Sequence, residues 1–206
     1  MQNDPFQGGQ HLQDVFIFTP VFVDGEVIAF SASVAHHLDL GGGAAGLNMD
    51  APDVYAEGIR IPPSKWNWEE DWNGGRLEAL LRLNVRVPDL TMGDLNAQFA
   101  ANAIAENRLQ QLAAKYGAAK ITAAMSELLD YCERRMRAGI AAAPDGVYHG
   151  HAAIDDDGTS EEPVHIHCTI TIKGDELEVD FDGTDAQVAT NINCPFASCL
   201  ASALSC

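Results

Sequence analysis

Two short clusters at the start of the chain combine imidazoles with carboxylates. His11 is followed three residues later by Asp14, and His36 and His37 stand together with Asp39 two residues on. Neutral imidazole nitrogens and carboxylate oxygens are common ligands of zinc, manganese and iron. Three such donors around an open position leave room for a water or a substrate oxygen, the arrangement a hydrolytic metal centre uses. An HxxD spacing alone is common by chance. The plain alternative is a set of loop histidines with capping aspartates, so the reading needs the two clusters to converge. His36 and His37 are neighbours, and in an extended segment they point to opposite sides. One of them can face a metal, while the other contacts substrate or supports a ligand from behind.

A second set, His149, His151, His165 and His167, alternates along two later segments. Four imidazoles on one sheet face can bind a metal. The simpler reading is polar strand positions in the negative field of the neighbouring DDDGTSEEP. The acidic runs at 155–157 and 161–162 read as a solvated loop, with a weak calcium site as the alternative. GGGAAG at 41–46 lacks both the lysine of a phosphate loop and the GxGxxG spacing, so it reads as a flexible turn. Neither a GxSxG elbow nor a CxxC pair is present.

The elements that must position the first cluster can be read outward from Asp24-Gly25, a strong two-residue hairpin signal. VFIFTPVFV (15–23) precedes it and EVIAFSAS (26–33) follows. A hairpin of these lengths brings its outer ends together, so His11, Asp14 and the 36–39 cluster are expected to lie close in space. The near-continuous apolarity of the first strand predicts burial on both faces. Residues 41–75 read as a long irregular connection, with GIRIPP extended, and a loop of that length is usually functional. A short helix follows over 76–85, broken by Pro88. Thr91 or Asp94 is expected to cap a helix over 93–116 that stops at Gly117. Ile121, Met125, Leu128, Leu129, Cys132 and Met136 form a stripe on a further helix over 118–138, which predicts the core of a helical hairpin. VYHGHAAID, VHIHCTITI and ELEVDFDG read as three antiparallel strands, the last two joined at Lys173-Gly174-Asp175. The fold class is α+β.

Composition narrows the partners. Among 206 residues, 47% are hydrophobic, enough for a sizeable core. Thirty Asp and Glu against twelve Lys and Arg give a net charge of −18, which argues against nucleic acid or an anionic membrane as a partner and fits a cytoplasmic location. No stretch reaches the ~18 apolar residues of a membrane span, and no signal peptide is apparent. Five scattered cysteines, at 132, 168, 194, 199 and 206, are expected to be reduced and structural. The chain opens directly into a turn-rich loop and ends within an apolar helix. It is therefore expected to be a single partial domain over 1–206, truncated at both ends, with the hairpin and loop over 1–75, helices over 76–140 and a β-meander over 141–206.

NDPFQGGQHLQDVFIFTPVFVDGEVIAF (3–30) followed by SVAHHLDLGG (33–42) resembles the hydantoinase B/oxoprolinase family. So do YAEGIRIPP (55–63), GDLNAQFAANAIAENRLQQL (93–112) and DFDGTDAQVATNINCP (180–195). The resemblance implies a B-type component of an ATP-dependent hydrolase of cyclic amides: hydantoins, 5-oxoproline or lactams. It also implies a separate A-type partner that binds the ATP, with no nucleotide bound by this chain, and a small-molecule substrate. A divalent metal (zinc, manganese or iron) is implied, held here by His11, Asp14 and His36, with His37 as a catalytic proton shuttle and Asp4 and Asp39 as alternate ligands. A further family ligand would lie upstream of this chain. Two departures are visible. The usual GGTHLPD reads GGQHLQD, and a Gly-Ser-Met-Pro stretch after AHH is replaced by GGGAAGLNMD. They pull towards one alternative, a subunit of an ATP-dependent ketone carboxylase of the acetone or acetophenone type; a second alternative, in keeping with the missing upstream ligand, is an inactive piece that only docks onto its A-type partner.

Overall fold

The computed structural model describes residues 1–205, so Cys206 lies outside the described residues. The order of elements is β1 (Asp14–Val23), β2 (Glu26–His36), α1 (Val54–Glu57), α2 (Arg76–Asn84), α3 (Pro88–Tyr116), α4 (Ala118–Ile140), β3 (Gly146–Ile154), β4 (Val164–Lys173), β5 (Glu176–Asp180) and α5 (Phe196–Ser205). The chain is α+β, with one sheet β1-β2 and another ordered β3-β4-β5, all pairs antiparallel. It divides into two compact units. One comprises Met1–Ala118 with the residues from Asn193 on, the other Ala119–Ile192.

In the first unit, Asp24 and Gly25 both take positive φ (52° and 85°), which suits a two-residue turn matched to the twist of its strands. From the turn the register runs Val23↔Glu26 and Phe22↔Val27, then shifts so that Val21 faces Ala29 and Asp14 faces His36. Ile28 is the extra residue of this bulge. Pro20 shares the phase of Phe16, whose N–H and C=O pair with Gln2 outside the hairpin, so its missing N–H falls on the edge away from β2.

One face of the hairpin carries Val15, Ile17 and Val21, all buried. Val15 and Ile17 join Leu40, Ile61, Trp72, Leu77, Leu81, Met92 and Leu95 in the core, with Phe99 packed against it. The Trp72 and Phe99 ring centroids lie 4.8 Å apart, and Trp72 Nε1 donates to Asn96 Oδ1 at 2.8 Å. Helix α3 is also tied to β1 by a polar ladder, Gln98 Nε2 donating to Val15 O (2.9 Å) and Asn102 Nδ2 to Ile17 O (3.0 Å). Four residues along a helix advance about 6 Å and two along a strand about 6.7 Å, which is why side chains at i and i+4 reach alternate strand carbonyls.

Several expectations are corrected. The second face of β1 is not buried: Phe18 and Phe22, with Phe30 and Val34 on β2, remain exposed. An apolar run signals that a face needs cover, but not where the cover comes from. The break between α2 and α3 falls before Pro88 as expected, but α3 begins at residue 88 rather than 93 and so includes Pro88. It stands in the first turn of α3, where no intrahelical N–H is required, and α3 has no side-chain N-cap, so Thr91 and Asp94 are interior. The 41–75 connection contains the short α1 and a π-helical turn over Trp68–Trp72.

In the second unit the expected core stripe on α4 is exposed at Leu128, Leu129 and Met136, and no residue of α4 is buried. The meander follows the sequence reading, and Gly174 (φ 64°) makes the β4–β5 turn. Cys132, Cys168, Cys194 and Cys199 are free. Among the described residues no helix is long and apolar enough to cross a membrane.

Candidate metal centre

The start of β1 is fixed by a buried asparagine. Asn3, fully buried, donates through Nδ2 to Leu12 O (2.6 Å) and Ile59 O (2.9 Å) and accepts the Ile61 N–H at Oδ1 (2.6 Å). One side chain thus ties the N-terminal segment, the HLQD turn and the GIRIPP segment together. Gly9 passes close to this corner. A Cβ there would stand 3.0 Å from the carbonyl oxygens of Asn3 and Asp4. The turn closes with Asp14 N–H on His11 O (3.1 Å) and His11 N–H on Asp14 Oδ2 (3.2 Å).

His11 Nδ1 then lies 2.9 Å from Asp14 Oδ2, and His36 Nδ1 lies 2.9 Å from Asp14 Oδ1. The two rings stand edge to face, with centroids 5.6 Å apart. His36 reaches Asp14 because of the bulge. A regular hairpin from Asp24-Gly25 would set Ala35 opposite Asp14 and His36 one place further on, its side chain on the other face. The extra Ile28 brings His36 into place. Among the described residues, His11, Asp14 and His36 are the group of at least three His, Cys, Asp or Glu whose donor atoms all lie within 4.8 Å of one another. Around an ion with bonds of about 2.1 Å, tetrahedral donors sit about 3.4 Å apart, a spacing that lies between the 2.9 Å contacts and the 4.8 Å outer limit of this set, so small side-chain shifts fit it to a divalent transition metal. Two imidazoles with one carboxylate are the right chemistry for zinc, manganese or iron. The two histidines are partly exposed, which leaves the open side such a centre needs.

The other sequence candidates lie elsewhere. His37 follows the alternation and faces inward, 1% exposed, with Nε2 2.8 Å from Gln98 Oε1. Because Gln98 Nε2 donates to a carbonyl, its Oε1 must accept, so His37 carries its proton on Nε2 and leaves Nδ1 bare and unpartnered. Burial pushes the His37 imidazole below its ordinary pKa, against the opposing pull of Gln98 and Asp94. Asp39 is wholly buried. Its carboxylate accepts from Arg86 Nη1 (3.1 Å), the Arg86 backbone N–H and the Gly41 N–H. It pins the GGG segment, where a Cβ on Gly42 would stand 2.6 Å from Ala56 O. Those glycines allow close backbone approach. Asp4 caps the turn over Pro5–Gln7 and stands 3.9 Å from Arg60 Nε.

Two further charged residues, one coupled to the cluster and one beside Asp4, had no spacing to announce them. Half-buried Glu57 ends α1 and feels the charge of His11, while burial raises its pKa. Arg60 is flanked by the rings of Phe6 (5.5 Å) and Tyr55 (6.0 Å). Both sit in the 55–63 segment, whose only sequence signal was the family resemblance.

Known proteins share both the sequence and the fold of this chain. A family model described as Hydantoinase B/oxoprolinase matches residues 1–206. A protein of Pseudomonas sp. (strain NS671), provisionally named as the B component of a D-/L-hydantoinase, is 37% identical over 203 residues, covering 95% of this chain and 34% of the relative. The caprolactamase β-subunit of Pseudomonas jessenii is 38% identical over 178 residues, 86% of this chain and 30% of that protein. The crystal structure of ATP-dependent caprolactamase from Pseudomonas jessenii superposes with a TM-score of 0.87 at 35% identity, over 98% of this chain and 35% of that one. The chain therefore spans about a third of the length of these two curated relatives.

Proposed function

The chain belongs to the hydantoinase B/oxoprolinase family, and from that premise we propose that it supplies the metal-holding part of a cytoplasmic, ATP-dependent enzyme that opens cyclic amides. The substrate class is a hydantoin, 5-oxoproline or a lactam, and the ATP is used by a separate A-type subunit that activates the ring carbonyl. The observation that carries the reading is the convergence of His11 and His36 on the single carboxylate of Asp14.

His11 and His36, in their neutral form, and ionised Asp14 would hold the ion. The carboxylate offsets part of its charge, and the hairpin register fixes its direction. A bound divalent metal supplies Lewis acidity and a lowered water pKa. Glu57, which feels the charge of His11 and whose proton affinity is raised by burial, would take a proton at its carboxylate. His37 holds α3 against the hairpin one residue from His36, so its part is to keep the ligand strand in place.

Reconstitution of the polypeptide carrying this chain with an ATP-binding hydantoinase or oxoprolinase subunit tests the proposal. ATP-dependent ring opening that is lost in Asp14→Ala is expected. Incorporation of bicarbonate into a ketone, or ring opening indifferent to Asp14→Ala, would overturn it.

A further inference from the structure

The second unit carries a histidine face of its own. In the β3–β4 register His151 lies directly opposite His167, His149 opposite Thr169 and His165 opposite Ala153. Directly opposed residues of an antiparallel pair share a face with Cβ atoms about 5 Å apart. Two His-x-His segments, His149-Gly150-His151 and His165-Ile166-His167, are thus laid side by side with all four imidazoles on one exposed face.

The chain after β5 folds back along β4 at this point. Thr184 Oγ1 accepts the His167 N–H (3.0 Å) and donates to His167 O (3.1 Å). Asp185 N–H bonds His165 O (3.0 Å), and Asp185 Oδ2 takes both the His165 N–H (2.6 Å) and a contact with its Nδ1 (3.1 Å). These bonds, with His165 and His167 near, hold the Asp185 carboxyl below the usual range. A carboxylate on Nδ1 orients the ring and leaves Nε2 free, as carboxylates do behind metal-ligating histidines. His149 differs in position: it stands opposite Thr169, four residues along β4 from His165 or about 13 Å, too far to share one ion with it.

We propose that His151, His165 and His167 form a second binding site for a divalent transition cation of the zinc class, with Asp185 orienting His165. In the rotamers of the structure these donors are not gathered as closely as those of the first centre. The set closes by rotation of His151 and His167, which lie directly opposite each other, towards the His165 ring that Asp185 holds; exposed side chains make such rotations in picoseconds to nanoseconds. The site is independent of the proposed function, because its residues all belong to the second unit.

The test is titration of the full chain with zinc chloride against a chromogenic chelator, with His11→Ala and His36→Ala in place to remove the first centre. One bound equivalent is expected, weakened at least tenfold by His151→Asn with His167→Asn and about tenfold by Asp185→Asn. His149→Asn should keep the affinity within twofold, and far-UV circular dichroism should be unchanged throughout. The same weakening of one equivalent should be seen without the His11 and His36 substitutions. No zinc bound by the parent chain, or a double variant within tenfold of it, overturns the site; a His149→Asn loss as large as the double variant's overturns the ligand set.

Discussion

Gln98 joins three parts of the first unit, and its removal has a calculable effect. Its side chain is 6% exposed, and it bonds Val15 O on β1 and His37 beyond β2 from the middle of α3. In Gln98→Ala the His37 Nε2–H is buried without an acceptor, a loss of about 1–3 kcal/mol. The space left by the truncated side chain adds about 1 kcal/mol, for a total of about 2–4 kcal/mol. Leucine at both positions removes donor and acceptor together, so His37→Leu with Gln98→Leu should be milder than the sum of the single changes by at least about 1 kcal/mol. Urea unfolding followed by tryptophan fluorescence gives all four stabilities of the leucine cycle, with Gln98→Ala measured beside it. A Gln98→Ala loss below about 0.5 kcal/mol, or strict additivity of the leucine pair, would refute the claim that His37 is a buried, neutral strut.

Two further outcomes follow from the same geometry. Asn3→Ala abandons three hydrogen bonds in a fully buried corner and should destabilise by about 2–4 kcal/mol, as read by thermal unfolding; a melting temperature within about 2 °C of the parent, on the order of 0.5–1 kcal/mol, would contradict that role. His37 also sets a pH dependence. Its folded pKa lies below the unfolded value of about 6.5, so between the two the unfolded chain binds the extra proton. Its contribution is complete above the unfolded value, falls as pH drops towards the folded one and levels off beneath it. Stability should therefore decline between pH 8 and 5.5 more steeply in the parent than in His37→Gln, and equal slopes in urea titrations would count against it.

What was legible in the sequence follows from short-range signals. Asp24-Gly25 announced the hairpin, and counting outward from it brought His11, Asp14 and His36 to one end. The bulge at Ile28 was not legible, because the chain there continues the same β-branched pattern, yet it decides whether Ala35 or His36 faces Asp14. The opposite directions of His36 and His37 follow from strand alternation. That His37 ends on Gln98 does not, since 61 residues separate them and only the packing of α3 brings them together. Asp39 carried the right chemistry for a ligand, but its partner Arg86 is 47 residues away, and no local pattern marks it as an anchor of the GGG segment. Pro88 punctuates a helix at either end. Its place in the first turn of α3 depends on the packing of Thr91 and Met92, both buried. The apolar stripes of β1 and α4 were read correctly as apolar. Their exposure at Phe18, Phe22 and Leu129 shows that periodicity specifies a face and leaves its partner open.

The central claim is that the ends of the β1–β2 hairpin hold a divalent metal, and the direct measurement is metal content by plasma mass spectrometry. The purified chain, incubated with zinc, manganese or iron(II) and desalted, would be compared with Asp14→Ala and His36→Ala, all in a His151→Asn, His167→Asn background. About one ion per chain of one of these metals, lost in both variants, is the predicted result. No ion in the parent chain, or an equal content in all three, would contradict it.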